Sequence, residues 1–272
     1  MAVPAYRLYP NLRCRGGEST VGDDAVAVEE PLEIRIGKLP VAVIMRTPGH
    51  DDELAAGFLL TEGVIQSADD LVELTHCDEA GPAESRGNVI VVTLRDDSGV
   101  DLNRLQRNFY ATSSCGVCGK ASIAQLLRTL APFENESRVS RGTIAALPDA
   151  LRDHQAAFAA TGGVHAAGLF DVSGRPLCVR EDVGRHNAVD KVVGWSVLEG
   201  RAPLTGAILQ VSGRTSFEIV QKAWAAGISV VACVSAPTTL AVDLARQANM
   251  VLAAFVRGEN MAIFAGAERL LR

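Results

Sequence analysis

The stretch that most constrains the fold lies between residues 207 and 256, where short apolar runs alternate with segments of helical period. Residues 207–211, 229–234 and 250–256 read as buried strands, with residues 217–226 and 239–247 as the helices between them. Parallel neighbours need a long crossover, and a helix supplies it, so this alternation implies a largely parallel sheet with helices on its faces. In an open sheet of that kind the loops at the strand C-terminal ends line the ligand crevice. Two consecutive loops qualify: Ser212-Gly213-Arg214-Thr215-Ser216 and Ser235-Ala236-Pro237-Thr238-Thr239. Hydroxyls, a glycine and an arginine at helix N-termini suit phosphate groups, although Ser and Thr also cap helices with no ligand at all. Two in succession, the first carrying Arg214, point to a phosphorylated ligand.

Upstream, residues 166–171 and 176–180 read as a hairpin joined by Ser173-Gly174, followed by a helix over 187–198. The run from Arg180 to Lys191 is dense in distinct polar groups. Gly184 permits close backbone approach, and Asp182, Arg185, His186 and Asn187 are candidate hydrogen-bonding residues. Thr161-Gly162-Gly163-Val164-His165 reads as a tight loop that places an imidazole just before a strand; a lone histidine there is as readily structural. Near the N-terminus Leu32, Ile34 and Ile36 alternate with charged residues, and residues 39–45 form a second strand. Asp51 suits a helix N-cap, with Leu54, Ala55, Phe58 and Leu59 as the apolar stripe of a helix ending near Gly63. A further strand over 89–94 completes a small α+β unit. Residues 120–130 and 148–160 read as helices and 131–147 as a connector. The expected organisation is a small α+β domain over residues 20–110 and a larger α/β domain over 111–272.

Of the 272 residues 48% are hydrophobic and 21% charged, as in an ordinary globular protein. The net charge of -6 and 5% aromatic content argue against a nucleic-acid-binding surface. No segment has the pattern of a signal peptide or membrane span, so the expectation is a cytoplasmic protein whose 6 cysteines are mostly reduced.

Two of those cysteines stand in Ser114-Cys115-Gly116-Val117-Cys118-Gly119, just before the expected helix over 120–130. A helix N-terminus and Lys120 would favour a thiolate. Spacing alone leaves thiol chemistry and structural zinc both open. Zinc normally needs four ligands, and Cys14, Cys77, Cys178 and Cys233 are scattered singly with no second pair. Cys178 and Cys233 fall in expected strands, where a small core residue is the simpler reading. A zinc deaminase would require His-x-Glu followed by Pro-Cys-x-x-Cys. Here His165-Ala166-Ala167 lacks the glutamate and follows the cysteines, and Ser114 precedes Cys115.

In order along the chain, several segments together resemble the FdhD family of formate dehydrogenase accessory sulfurtransferases. They are Glu30-Pro31-Leu32-Glu33-Ile34, Met45-Arg46-Thr47-Pro48-Gly49, Glu53-Leu54-Ala55 with Gly57-Phe58-Leu59, and the Cys115–Cys118 segment. The resemblance continues through the Thr161 to His165 loop, the Arg180 to Lys191 run, Ser212-Gly213-Arg214-Thr215-Ser216-Phe217-Glu218, and Ser235-Ala236-Pro237. It implies a sulfurtransferase that takes persulfide sulfur from a cysteine desulfurase on Cys115, with Cys118 as partner. It further implies delivery of that sulfur to a molybdenum or tungsten bis(molybdopterin guanine dinucleotide) cofactor before insertion into the formate dehydrogenase catalytic subunit. GDP or a related guanine nucleotide would mimic that cofactor. The family's cofactor-binding stretch falls on Phe255-Val256-Arg257-Gly258-Glu259-Asn260, which lacks the Pro-Gly-Arg ending of some members. The implied fold is a cytidine-deaminase-like core with a smaller N-terminal α+β domain, and the implied assembly a homodimer. The expected cofactor-binding set is that stretch together with Ser212, Gly213, Arg214, Thr215, Arg185, His186, Asn187 and His165, with no resident metal. A chaperone that binds the cofactor without transferring sulfur, and a zinc-stabilised nucleotide-binding module, are the competing functions.

Overall fold

A computed structural model describes residues 4–77, 87–95, 130–134 and 137–271. Cys115, Cys118 and all but the last residue of the expected helix over 120–130 lie outside the described residues.

The chain opens with a two-stranded ribbon, β1 (Tyr6–Arg15) and β2 (Glu18–Ala27), that the sequence pattern did not reveal. Its residues are mostly exposed, so no burial alternation marks it as a strand pair. Strands β3 (Glu30–Ile36) and β4 (Leu39–Arg46) then form the expected antiparallel pair, turning at Gly37, whose φ of 56° suits a residue without a Cβ. Helix α1 (Asp51–Thr61) follows, and then β5 (Leu71–His76) and β6 (Val89–Leu94). The four strands make one sheet in the order β4-β3-β6-β5, in which β3 and β6 are parallel.

After β7 (Val139–Ser140), what the sequence presents as a connector and one helix is two helices. Helix α2 (Arg141–Arg152) is capped by the Ser140 hydroxyl and carries Pro148 inside it, while α3 (Ala156–Thr161) is a separate short turn. Glu181 accepts the Ala157 and Phe158 amides (2.8 and 2.7 Å), so a carboxylate from a neighbouring strand restarts the helix after the break.

The larger sheet contains β8 (His165–Phe170), β9 (Pro176–Asp182), β10 (Ile208–Val211), β11 (Val230–Cys233), β12 (Val251–Arg257) and β13 (Asn260–Ala265). Its order is β13-β12-β11-β10-β8-β9. Only the neighbours β10–β11 and β11–β12 pair parallel; β8 pairs antiparallel with β10 and β9, and β13 pairs antiparallel with β12. The largely parallel sheet expected from the sequence is therefore a mixed one, because the β8–β9 and β12–β13 connections are hairpins and the helix after β9 carries the chain past β8 to β10. Helices α4 (Arg185–Leu198), α5 (Phe217–Ala225) and α6 (Thr239–Gln247) cover one face and α2 the other. Strand β14 (Leu270–Leu271) pairs with β7.

Helices α1 and α4 join the two sheets by crossing with backbones in contact. A Cβ on Gly57 would lie 1.8 Å from the Asp190 carbonyl oxygen, and one on Gly194 would lie 1.7 Å from that of Glu53. Only glycine fits at either place. One buried cluster accordingly runs from Leu32 in β3 to Ala265 in β13. Beside the crossing, Lys222 of α5 donates to both carboxylate oxygens of Asp190 (2.9 Å each), and Thr61 of α1 donates to Asp190 (2.8 Å). Burial opposes the charged form of Lys222, but Asp190 and Glu62 outweigh it and raise its pKa. Burial raises the Asp190 pKa as well, against the pull of Lys222, and the hydrogen-bonded group ties three helices together.

Candidate functional site

Since β8 is antiparallel to β10 and β9 to β8, the start of β8, the end of β9 and the ends of the three parallel strands share one edge. The ladder between β8 and β10 is continued there by a side chain. Ser212 donates its backbone N–H to the Ala166 carbonyl (2.9 Å), and the Ser212 hydroxyl accepts the Ala166 N–H (2.8 Å). Gly213 then passes beneath His165: a Cβ on it would be 3.3 Å from His165 Nδ1 and 4.0 Å from Arg185 Cδ. The missing side chain lets the imidazole and the guanidinium stem close over the loop. Burial, reinforced by the charges of Arg185 and His186, pushes the His165 pKa below its ordinary value of 6.5.

The turn that presents Arg185 and His186 is organised by Asp182, which is fully buried. Its carboxylate accepts the Thr47 and Gly184 amides (3.1 and 2.8 Å) and the Asn187 side-chain amide (2.8 Å), and it meets Lys191 Nζ at 2.8 Å. Asn187 donates a second time, to the Met45 carbonyl (2.8 Å). Thus Asp182 and Asn187 fasten the start of α4 to the β4–α1 loop. Arg46 serves the same loop, donating twice to Asp51 and once to Asn88.

At the start of α5, Ser216 Oγ donates to Glu218 Oε2 (3.0 Å), and His186 Nε2 lies 3.0 Å from the same oxygen. Burial would raise the Glu218 pKa, but the bonds and charge of His186 and Ser216, with Arg185 nearby, hold it below the ordinary value. Two polar atoms in this corner are buried with no partner among the described residues, Arg185 Nε and Glu218 Oε1, while the hydroxyl of fully buried Thr215 lies against the Cys233 thiol. Unpaired buried polar atoms are uncommon and costly, and their concentration at one strand edge is the mark of a ligand crevice.

On the opposite face of the same edge a cleft of about 380 Å³ opens over Ser212, Val234 and His165. Its far wall is α2 and α3, with Leu151, Gln155 and Phe158, and its rim is Gly162-Gly163. Gln155 is 4% exposed and its Nε2 has no partner among the described residues.

The loop after β11 is tied to the first by a parallel bridge, with Thr215 N–H donating to Ala236 O (3.2 Å) and Thr238 N–H to Thr215 O (3.1 Å). Phe255 N–H donates to Ser235 O (3.1 Å), bringing the end of β12 to the same edge. Phe255 has φ 54°, a backbone state that costs a residue with a Cβ about 1–2 kcal/mol, and its ring is 43% exposed. Val256 is buried among the α2-side core residues, while Arg257, Gly258, Glu259 and Asn260 are exposed in the β12–β13 turn. Arg214 is also exposed, and no hydrogen bond joins it to the crevice among the described residues.

The structure therefore gathers His165, Arg185, His186, Ser212, Gly213, Thr215 and Phe255 at one edge. It turns Asn187 and Val256 inward and leaves Arg214 and residues 257–260 at the surface. Sequence reasoning included Glu218 in a segment that carries the family resemblance but did not place it, or Gln155, among the expected site residues. Glu218 reads as an ordinary acidic residue in a first helical turn, and Gln155 lies in a helix break the pattern concealed. Cys178 and Cys233 are buried, as expected of core residues; burial pushes the Cys178 thiol up to about 12 and raises that of Cys233 as well.

The model of the FdhD/NarQ family matches residues 27–271. The chain belongs to this family. Among its relatives, sulfur carrier protein FdhD of Mycobacterium tuberculosis is 49% identical over 254 residues, 91% of this chain and 92% of that one. The protein of the same name from Streptomyces coelicolor is 48% identical over 266 residues, covering 95% and 93%. A crystal structure from Desulfotalea psychrophila, provisionally described as a formate dehydrogenase accessory protein, superposes with a TM-score of 0.78 at 24% identity. It covers 98% of this chain and 100% of that one, and shows the shared fold. Among the described residues no helix is long and apolar enough to cross a membrane.

Proposed function

We propose that this chain is a sulfur carrier serving formate dehydrogenase, accepting a persulfide on Cys115 and passing the sulfur to a bis(molybdopterin guanine dinucleotide) cofactor held at the crevice. The relatives that cover nine-tenths of the chain are named sulfur carriers, which supports the role. The observation that carries the ligand half of the reading is the pair of buried, unpartnered polar atoms on Arg185 and Glu218. The donor set fits a large polar, phosphate-bearing substrate: Arg185 supplies cationic charge, the Ser212–Ser216 loop supplies hydroxyls and amides, and Phe255 supplies an aromatic face.

In the loading step the Cys115 thiolate attacks the sulfane sulfur of a desulfurase persulfide. A Cys115–sulfur bond forms, the desulfurase sulfur–sulfur bond breaks, and the desulfurase cysteine leaves as thiolate. In the delivery step the Cys118 thiolate attacks Cys115 and displaces hydrosulfide to the cofactor. The two cysteines are oxidised to a disulfide while the transferred sulfur is reduced, and a thiol reductant restores them. The reading includes a homodimer acting in the cytoplasm, a cytidine-deaminase-like larger unit and a unit boundary near residues 110–111.

Intact mass spectrometry after incubation with a cysteine desulfurase and cysteine tests the loading step. The wild type is expected to gain about 32 Da, reversed by reductant, and Cys115→Ala to gain nothing. A Cys115→Ala protein that still loads sulfur, or that supports formate dehydrogenase as well as the wild type does, would rule this mechanism out.

A further inference from the structure

We infer that Glu218 is a specificity-determining residue whose free oxygen accepts a hydrogen bond from a donor group on the bound ligand. The inference rests on the proposed nucleotide-bearing substrate and deepens it. Glu218 Oε2 is already occupied by Ser216 and His186, both at 3.0 Å. Oε1 is buried and has no partner among the described residues, and the same is true of Arg185 Nε, whose guanidinium acts on this carboxylate. The carboxyl is thus held in one orientation with one acceptor pointing at nothing. An acceptor in that state is costly unless something donates to it.

The charge has a second consequence. A carboxylate repels phosphate, so in a crevice otherwise lined by amides, hydroxyls and Arg185 it marks where the phosphates do not lie. It therefore fixes the direction in which the ligand is laid down, with a ring N–H, an exocyclic amine or a sugar hydroxyl toward α5. With only one oxygen free, the contact is single, not a two-pronged clasp.

Calorimetry on the full chain, with GDP and three analogues, tests the assignment and identifies the donor. IDP lacks the exocyclic amine, 2-aminopurine riboside diphosphate lacks the ring N–H, and 2′,3′-dideoxyguanosine diphosphate lacks the sugar hydroxyls. The wild type is expected to bind one of these about tenfold or more weakly than GDP, as for loss of a hydrogen bond to a charged group. Glu218→Met is expected to bind GDP no better than that analogue, abolishing the preference. Glu218→Gln keeps an oxygen without the charge, so it is expected to weaken GDP binding and keep part of the preference. A merely structural role would weaken all four ligands equally in both variants.

An unchanged preference in a folded Glu218→Met protein overturns the assignment while leaving the nucleotide reading intact. If Glu218→Met does not fold, full wild-type affinity and preference in Glu218→Gln overturns it instead. Equal wild-type affinity for all four ligands also overturns it. A wild type that binds none of them overturns the nucleotide reading and this assignment together.

Discussion

His165 is half-buried, faces the stem of Arg185 across Gly213, and has His186 close by. Protonating it would bury a charge beside the Arg185 guanidinium, so the neutral imidazole is favoured in the folded chain. Its NMR titration midpoint is expected below 6.5, and Arg185→Ala is expected to bring it part of the way back, since burial remains. The sign for stability follows from the lowered value. The unfolded chain takes up the proton first, so the contribution of His165 is fully present above pH 6.5 and is lost as pH falls through the folded midpoint. A midpoint at or above 6.5 would show that the imidazole is not enclosed as described. Residue by residue, the sequence was informative about which polar groups matter and less so about what they do. Arg180 to Lys191 stands out as a dense polar run, yet Asp182, Asn187 and Lys191 are engaged with the end of β4 and the β4–α1 loop. Those partners lie over 130 positions away in sequence, and no local pattern can reveal them.

Among the elements, the parallel strands and their helices were legible because apolar runs of strand length alternate with helical periodicity. Strand β5 and the β1–β2 ribbon were not, because their side chains are largely exposed and carry no burial alternation. The separate start of α3 escaped because its cap is Glu181, a residue of β9 that accepts the α3 amides. The α1–α4 crossing is the element pair with the least tolerance. Gly194→Ala would drive a methyl into the Glu53 carbonyl, and overpacking against backbone has no side chain to rotate away. A loss of about 3 kcal/mol or more is expected in urea unfolding, whereas Gly142→Ala, with only Ser140 Oγ at 3.8 Å, is expected to change stability by no more than about 0.5 kcal/mol. Equal effects of the two substitutions would contradict the crossing.

For the molecule as a whole, the core that runs from Leu32 to Ala265 predicts one cooperative unfolding transition. Trp195 on α4 and Trp224 on α5 report on the helical layer, and amide exchange on β3 reports on the smaller sheet. All are expected to share one denaturant midpoint. An earlier loss of β3 protection would show that the smaller sheet unfolds separately.

Two helices whose main chains touch behave as a rivet. Neither can roll or slide along the other without atoms colliding at Gly57 and Gly194. The two sheets therefore cannot part like jaws. The crossing leaves the two sheets as one stiff cradle, in which the strand edge that carries His165, Arg185 and Glu218 keeps its shape.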